Sequence, residues 1–264
     1  MTPTSPQLAP KPARRPRGRN TIAVASGKGG VGKTWFAITL THALTREGLK
    51  ALLFDADLGL ANVDIQLGLM PRHDLGSVIA GKLTLNQALH KFGDGGFDIL
   101  AGRSGSGSLA NVPLSRLQLL RDDLDVLAGS YDRVVVDLGA GVEKTVRQFS
   151  STANTCLVVT TDEPTALTDA YAFIKVSVME RPDMDLRVIV NQAQSVREGE
   201  RIYNTLRKAC EGFLKISPPL AGVIRRDSKV RESIRSQKPT LTRYPTSEAA
   251  ADVEAVARRL LGRG

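Results

Sequence analysis

Cysteine is nearly absent from this 264-residue chain, with only Cys156 and Cys210 present, 54 positions apart. That spacing excludes a metal knuckle or a disulfide framework and fits a reducing compartment. Histidine is also scarce, and His42, His73 and His90 are scattered without metal-ligand spacing, so none is assigned a catalytic role. No stretch approaches the roughly 18 consecutive apolar residues of a membrane span, and the N-terminus lacks the apolar segment of a signal peptide. Acidic residues are missing before position 20, where Lys11, Arg14, Arg15, Arg17 and Arg19 supply five of the nine excess positive charges. The rest is ordinary globular composition, 42% hydrophobic and 24% charged, which is ample for a core without staples.

Residues 1–19 carry five prolines and few aliphatic side chains. They cannot bury enough surface to offset ordering entropy, so they read as a disordered basic tail ahead of one domain over 20–264. Within that domain, short apolar runs alternate with amphipathic segments. The runs are Thr21 to Ala25, Lys50 to Phe54, Phe97 to Leu100, Arg133 to Val136, Thr155 to Thr160, Leu186 to Val190 and Leu220 to Ile224. They lack polar alternation, as strands buried on both faces of a parallel sheet require. The pattern predicts an α/β fold, a mostly parallel sheet of about seven or eight strands with helices on both faces and ligand chemistry at the carboxyl ends of the strands.

Directly after the first run comes Ser26-Gly27-Lys28-Gly29-Gly30-Val31-Gly32-Lys33-Thr34, then an amphipathic helix. This is Gly-x4-Gly-Lys-Thr in its strand-to-helix context, the phosphate-binding loop of P-loop nucleotide hydrolases. Glycines let the backbone turn and aim successive N–H groups at phosphate oxygens, and the helix N-terminus adds partial positive charge. Lys33 is expected against the β- and γ-phosphates, where one charge pair at about 4 Å contributes about 4 kcal/mol at an effective dielectric near 20. Thr34 is expected to place its hydroxyl on the Mg²⁺ that bridges them.

A nucleotide site also needs acids where buried strands end. Arg133 to Asp137 is such a strand, followed by Leu138-Gly139-Ala140-Gly141, whose glycines allow close approach to the γ-phosphate. Asp137 is the expected Mg²⁺-side carboxylate, through a bound water. Leu52 to Asp57 is the other, with Asp57 placed to accept a proton from, or aim, the attacking water. Thr34, Asp57 and Asp137 are thus the candidate metal-side groups. Asp55 reads equally as part of the metal shell and as scaffold for its own loop.

With Lys28 inside Lys-Gly-Gly-Val-Gly-Lys-Thr, the chain resembles the MinD/ParA family of dimerising ATPases with a deviant Walker A motif. Asp55-Ala56-Asp57-Leu58-Gly59-Leu60-Ala61-Asn62-Val63-Asp64 and Glu163-Pro164-Thr165-Ala166-Leu167-Thr168-Asp169-Ala170-Tyr171 are similar to the FlhG/FleN branch. The resemblance implies that Lys28 reaches the nucleotide of a second copy, that Asp57 serves hydrolysis, and that Asp137 with Gly139 forms a switch. It also implies that Asn191 hydrogen-bonds adenine, although a turn-starting Asn after a strand has the same local pattern. Three departures stand out. Arg225 replaces the proline of Gly-x-Ile-Pro, Asp162 replaces a proline, and the Asp-Gln-Ala motif of FlhG-type N-termini does not occur in residues 1–20. They leave open the base contacts near the last strand and the flagellar partner role.

The expectation is a Mg-ATP-dependent switch that dimerises with ATP, needs a protein activator and controls placement or number of a cellular structure. Its place is the cytoplasm, with reversible membrane association through Ser247 to Leu261 as a weaker element, since packing explains that helix better. The alternative is a DNA-partition ATPase using the stripe Arg225, Arg226, Lys229, Arg231, Arg235 and Lys238. A ligase-type metabolic enzyme would need a second substrate motif, and none is found.

Overall fold

A computed structural model describes residues 20–102 and 112–263. The basic tail over 1–19 lies outside the described residues. Eight strands form one sheet: β1 (Thr21–Ser26), β2 (Ala51–Ala56), β3 (His90–Phe92), β4 (Phe97–Leu100), β5 (Arg133–Ala140), β6 (Thr155–Thr160), β7 (Asp185–Ala193) and β8 (Leu220–Arg225). Their order is β3-β4-β2-β5-β1-β6-β7-β8, and every pairing is parallel except β3 with β4. The seven expected strands are all present. The eighth, β3, is three residues long with Lys91 exposed at its centre, too short and polar for a periodicity signal.

Side-chain alternation divides the core into two layers. Ile22, Val24 and Leu53 face one layer, while Ala23, Ala25, Leu52 and Phe54 face the other. The first layer is covered by α1 (Lys33–Arg46) and the last helix, Glu248–Leu260, whose Ala249, Ala250, Val253, Val256 and Ala257 are all buried. The helices Leu114–Ala128, Lys144–Thr152, Pro164–Glu180 and Val196–Ala209 cover the second. Buried Phe36, Phe54, Phe149 and Phe173 anchor these layers, each contributing about 1.5–3 kcal/mol by leaving water.

Two irregularities shape the carboxyl edge. Between Val24 and Ser26 of β1 the partner β5 advances one residue more, bulging at Leu138–Gly139. Likewise β7 advances one residue more than β8 between Val190 and Ala193, bulging at Asn191–Gln192. Such bulges re-aim side chains beside functional sites.

Candidate functional site

The loop from Gly27 to Gly32 joins β1 to α1 and borders a cleft of about 620 Å³ at the carboxyl edge. Its backbone demands glycine: Gly30 and Gly32 have φ of 82° and 86°, a region closed to most L side chains. Gly27 is required for another reason, because a Cβ there would lie 2.1 Å from the Asp169 carbonyl oxygen. The Ser26 hydroxyl donates to the Lys28 carbonyl at 2.9 Å and steadies the first turn.

Inside the cleft, Lys33 Nζ donates to Asp137 Oδ1 at 3.1 Å, with the two side chains 8% and 1% exposed. Burial raises the Asp137 carboxyl above its ordinary range, while Lys33 and a hydrogen bond from Thr34 pull it back down. Asp137 Oδ2 is buried and has no hydrogen-bond partner. Asp57 stands opposite, its Oδ1 accepting from the Leu60 N–H at 3.0 Å. A Cβ on Gly139 would lie only 3.5 Å from that oxygen, so the bulge brings the glycine against Asp57.

Asp55 is fully buried and pairs in register with Asp137. Its oxygens accept the N–H groups of Asp57, Asn62 and Val63, each at 3.2 Å. It therefore holds the loop that carries Asp57. Burial and the neighbouring Asp137 carboxylate push it up to about 8.

Lys28 points outward, to Glu163 Oε2 at 2.5 Å and Thr165 Oγ1 at 2.8 Å. Asn191 is buried, and its Nδ2 donates to the Val31 carbonyl at 2.8 Å, so it braces the phosphate loop. Glu163 and Thr165 as partners of Lys28 escape sequence reasoning because 135 or more positions separate them from it. Trp35, next to Thr34, is buried and donates from Nε1 to Thr240 Oγ1 at 2.8 Å. It packs the first helix rather than facing a base.

Magnesium and a triphosphate fit these residues. Asp137 offers a buried oxygen without a partner, Thr34 a hydroxyl beside it, and the loop from Gly27 to Gly32 a border of the cleft whose Gly30 and Gly32 turn through positive φ. Among the described residues no group of three or more His, Cys, Asp or Glu is arranged to hold a metal alone. A metal here would share its shell with phosphate oxygens.

Residues 22–241 match the family model of the CobQ/CobB/MinD/ParA nucleotide binding domain. The chain belongs to this family. This MinD/ParA-type domain is an ATPase whose ligands are ATP and Mg²⁺. It is 38% identical to the antiactivator FleN of Pseudomonas aeruginosa over 240 residues, covering 90% of this chain and 85% of FleN. It is 30% identical to the flagellum site-determining protein YlxH of Helicobacter pylori, covering 92% and 82%. The solved structure of the septum site-determining protein MinD from Pyrococcus horikoshii with Mg-ADP superposes with a TM-score of 0.77 at 26% identity, covering 91% of this chain and 95% of that one.

The remaining features of the MinD/ParA-type domain are structural. Cys156 and Cys210 are both buried and free, and burial pushes the Cys210 thiol up to about 11. In the basic stripe, Arg225 is paired with Asp252 and Glu248, Lys229 with Glu232 and Lys238 with Asp94, so half of its cations are neutralised within the fold. The last helix turns Ala249, Ala250, Val253, Val256 and Ala257 into the core, which leaves these side chains unavailable to a membrane, while Ala251 is exposed. No helix among the described residues is long and apolar enough to cross one.

Proposed function

We propose that this ATPase is a switch that pairs with a second copy when Mg-ATP is bound, engages a regulated partner as that dimer and separates after slow hydrolysis. Its output is the number or placement of a cell structure, the flagellum foremost. The observation that carries this reading is the division of labour between the two loop lysines. Lys33 turns inward onto Asp137, while Lys28 turns outward at the rim, on a solvent-exposed ion pair. A cation presented outward suits the nucleotide of a facing copy, where two triphosphates would otherwise repel. The similarity to FleN and YlxH supports the flagellar output.

The residues take the following roles. The loop amides from Gly27 to Gly32 and the Lys33 ammonium bind the phosphates, and Thr34 and Asp137 would hold Mg²⁺. The metal, when bound, neutralises charge that develops on the β- and γ-phosphoryl oxygens. Asp57, fixed by the Leu60 N–H, orients the attacking water and accepts its hydrogen bond, and Gly139 leaves space beside it. Hydrolysis is slow in the isolated chain because no arginine finger is recognised in its motifs, and a protein activator raises it.

Light scattering with Mg-ATP tests the scheme. Lys33→Ala is expected to lose nucleotide, Lys28→Ala to keep nucleotide and lose the dimer, and Asp57→Ala to accumulate the dimer. An Asp57→Ala chain that stays monomeric under saturating Mg-ATP contradicts it.

A further inference from the structure

The helix Lys144–Thr152 is a wall between two spaces. Its N-cap Glu143, with Thr145 and Val146, borders the nucleotide cleft. Lys144, Arg147, Gln148 and Ser151 recur at the three- and four-residue spacing of one helical face and border a separate cavity of about 230 Å³. Leu114 and Glu180, the first residue of the helix Leu114–Ala128 and the last of Pro164–Glu180, complete it. The space equals that of roughly eight waters, which suits a small molecule rather than a folded segment.

The polar groups of this cavity are only partly used. The Arg147 guanidinium reaches Glu180 through Nη1, but its Nε is buried and donates to nothing among the described residues. Gln148 Oε1 is buried as well and accepts from nothing among them. Buried donors and acceptors left in this way cost free energy until a partner arrives. Lys144 is exposed, with no ion pair among the described residues, and Leu114 is 48% exposed on the apolar side. The frame around these groups is firm. The Ser151 hydroxyl donates to the Gln148 carbonyl at 3.1 Å, and Arg181 Nη1 donates to the carbonyls of Ser151 and Ala153 at 2.7 and 2.9 Å, tying the ends of two helices together.

A ligand that satisfies this set presents an acceptor to Lys144 and Arg147 Nε and a donor to Gln148 Oε1. One uncommitted cation calls for one negative charge, and the Glu180 carboxylate favours a donor that is itself positive. We propose that the cavity binds a free α-amino acid with a short apolar side chain. Its carboxylate lies on Lys144 and Arg147, its ammonium on Gln148 and Glu180, and its side chain against Leu114. The site is regulatory, because the same helix packs on the catalytic strand end. Val146 Cγ2 lies 3.6 Å from the position of a Cβ on Gly139, and that position is 3.5 Å from Asp57 Oδ1. A ligand that fixes the helix from one face therefore biases the cleft on the other. The binding stands without the ATP-switch reading, and the effect on ATP rests on it.

Titration calorimetry of the full chain tests it with three probes: L-leucine, 4-methylpentanoate, which lacks the ammonium, and N-acetyl-L-leucine, whose amide donor carries no charge. Leucine is expected to bind, and 4-methylpentanoate to bind about tenfold more weakly for want of a charge-assisted hydrogen bond. Lys144→Ala, a change at an exposed position, is expected to weaken leucine about tenfold, and Gln148→Leu to bring leucine and 4-methylpentanoate within about twofold of each other. No heat with leucine, equal wild-type affinities for leucine and 4-methylpentanoate, or unchanged leucine affinity in Lys144→Ala overturns the proposal. Tighter binding of N-acetyl-leucine than of leucine also overturns it and makes a chain terminus the occupant. Saturating leucine is expected to change Mg-ATP affinity by about fivefold, with the same factor in leucine affinity when Mg-ATP is present. Leucine binding without that reciprocal change overturns the regulatory role. A chain that binds leucine and not Mg-ATP overturns the ATP-switch reading and leaves the site standing.

Discussion

Lys28 Nζ lies 2.5 Å from Glu163 Oε2, so the outer lysine of the phosphate loop is held by an acid at the start of the helix Pro164–Glu180 of its own chain. The side chains are 36% and 60% exposed, and a pair this open contributes only about 0.2–1 kcal/mol. The tether is weak enough to be exchanged for another anion. It also gives the unpaired chain a resting place for a charge that the ATP-bound dimer would employ elsewhere.

Glu163→Gln removes that competition. The variant is expected to form the ATP dimer at lower protein concentration, by up to about fivefold, read by sedimentation velocity. A variant that needs more protein than wild type reverses the sign and assigns Glu163 to the dimer contact instead.

Lys33 and Asp137 are both buried, so neither can be truncated cheaply. Lys33→Ala leaves the Asp137 carboxylate without its cation, and loss of one member of a buried pair costs about 3–5 kcal/mol. Urea denaturation should register this in the absence of nucleotide. Asp137→Asn keeps the shape and is expected to remove the magnesium dependence of ATP affinity, measured with and without EDTA.

The loop glycines separate into two classes. Gly27→Ala drives a Cβ into the Asp169 carbonyl, whereas the position of a Cβ on Gly29 meets nothing within 4 Å. Thermal unfolding of the nucleotide-free chain is expected to fall by several degrees for Gly27→Ala and by under about 2 °C for Gly29→Ala. Equal shifts would mean that the helix Pro164–Glu180 gives way.

Asp55 makes stability depend on pH. Its folded carboxyl is pushed up to about 8 from an ordinary 3.8. Between those values the folded chain holds a proton that the unfolded chain has released, so stability falls as pH rises through the window. The slope is at most about 1.4 kcal/mol per pH unit for one proton. Chemical denaturation from pH 5 to 8 without nucleotide should show this decline, and Asp55→Asn should flatten it. A wild-type chain whose stability rises over that range refutes the assignment.

The two strand-end aspartates show how far local pattern reaches. Asp55 and Asp57 share one motif and differ by two positions, yet one is sealed beneath its loop by three backbone N–H groups and the other faces Gly139. Alternation along the strand hints at this difference, but the curl of Leu58 to Val63 back over Asp55 is a loop path without periodicity. The partners of Lys28 and the left-handed backbone of Gln192 were equally hidden. The first is a contact between distant segments, and the second arises from a bulge that only neighbouring strands define.

The amino-acid order by itself determined the strand succession, the phosphate loop and the carboxylates that accompany it. Those properties are local: apolar runs need no partner to be recognised, and a turn of glycines ending in Lys33 and Thr34 has few other uses. Only the tertiary structure decided which acid supports the loop and that Arg225, at the end of β8, is paired with Glu248 and Asp252. It also decided that the last helix spends its apolar face on the core. These outcomes follow from which side chains meet across strands and loops far apart in the chain, where burial leaves a charge stable only if a partner or a ligand compensates it.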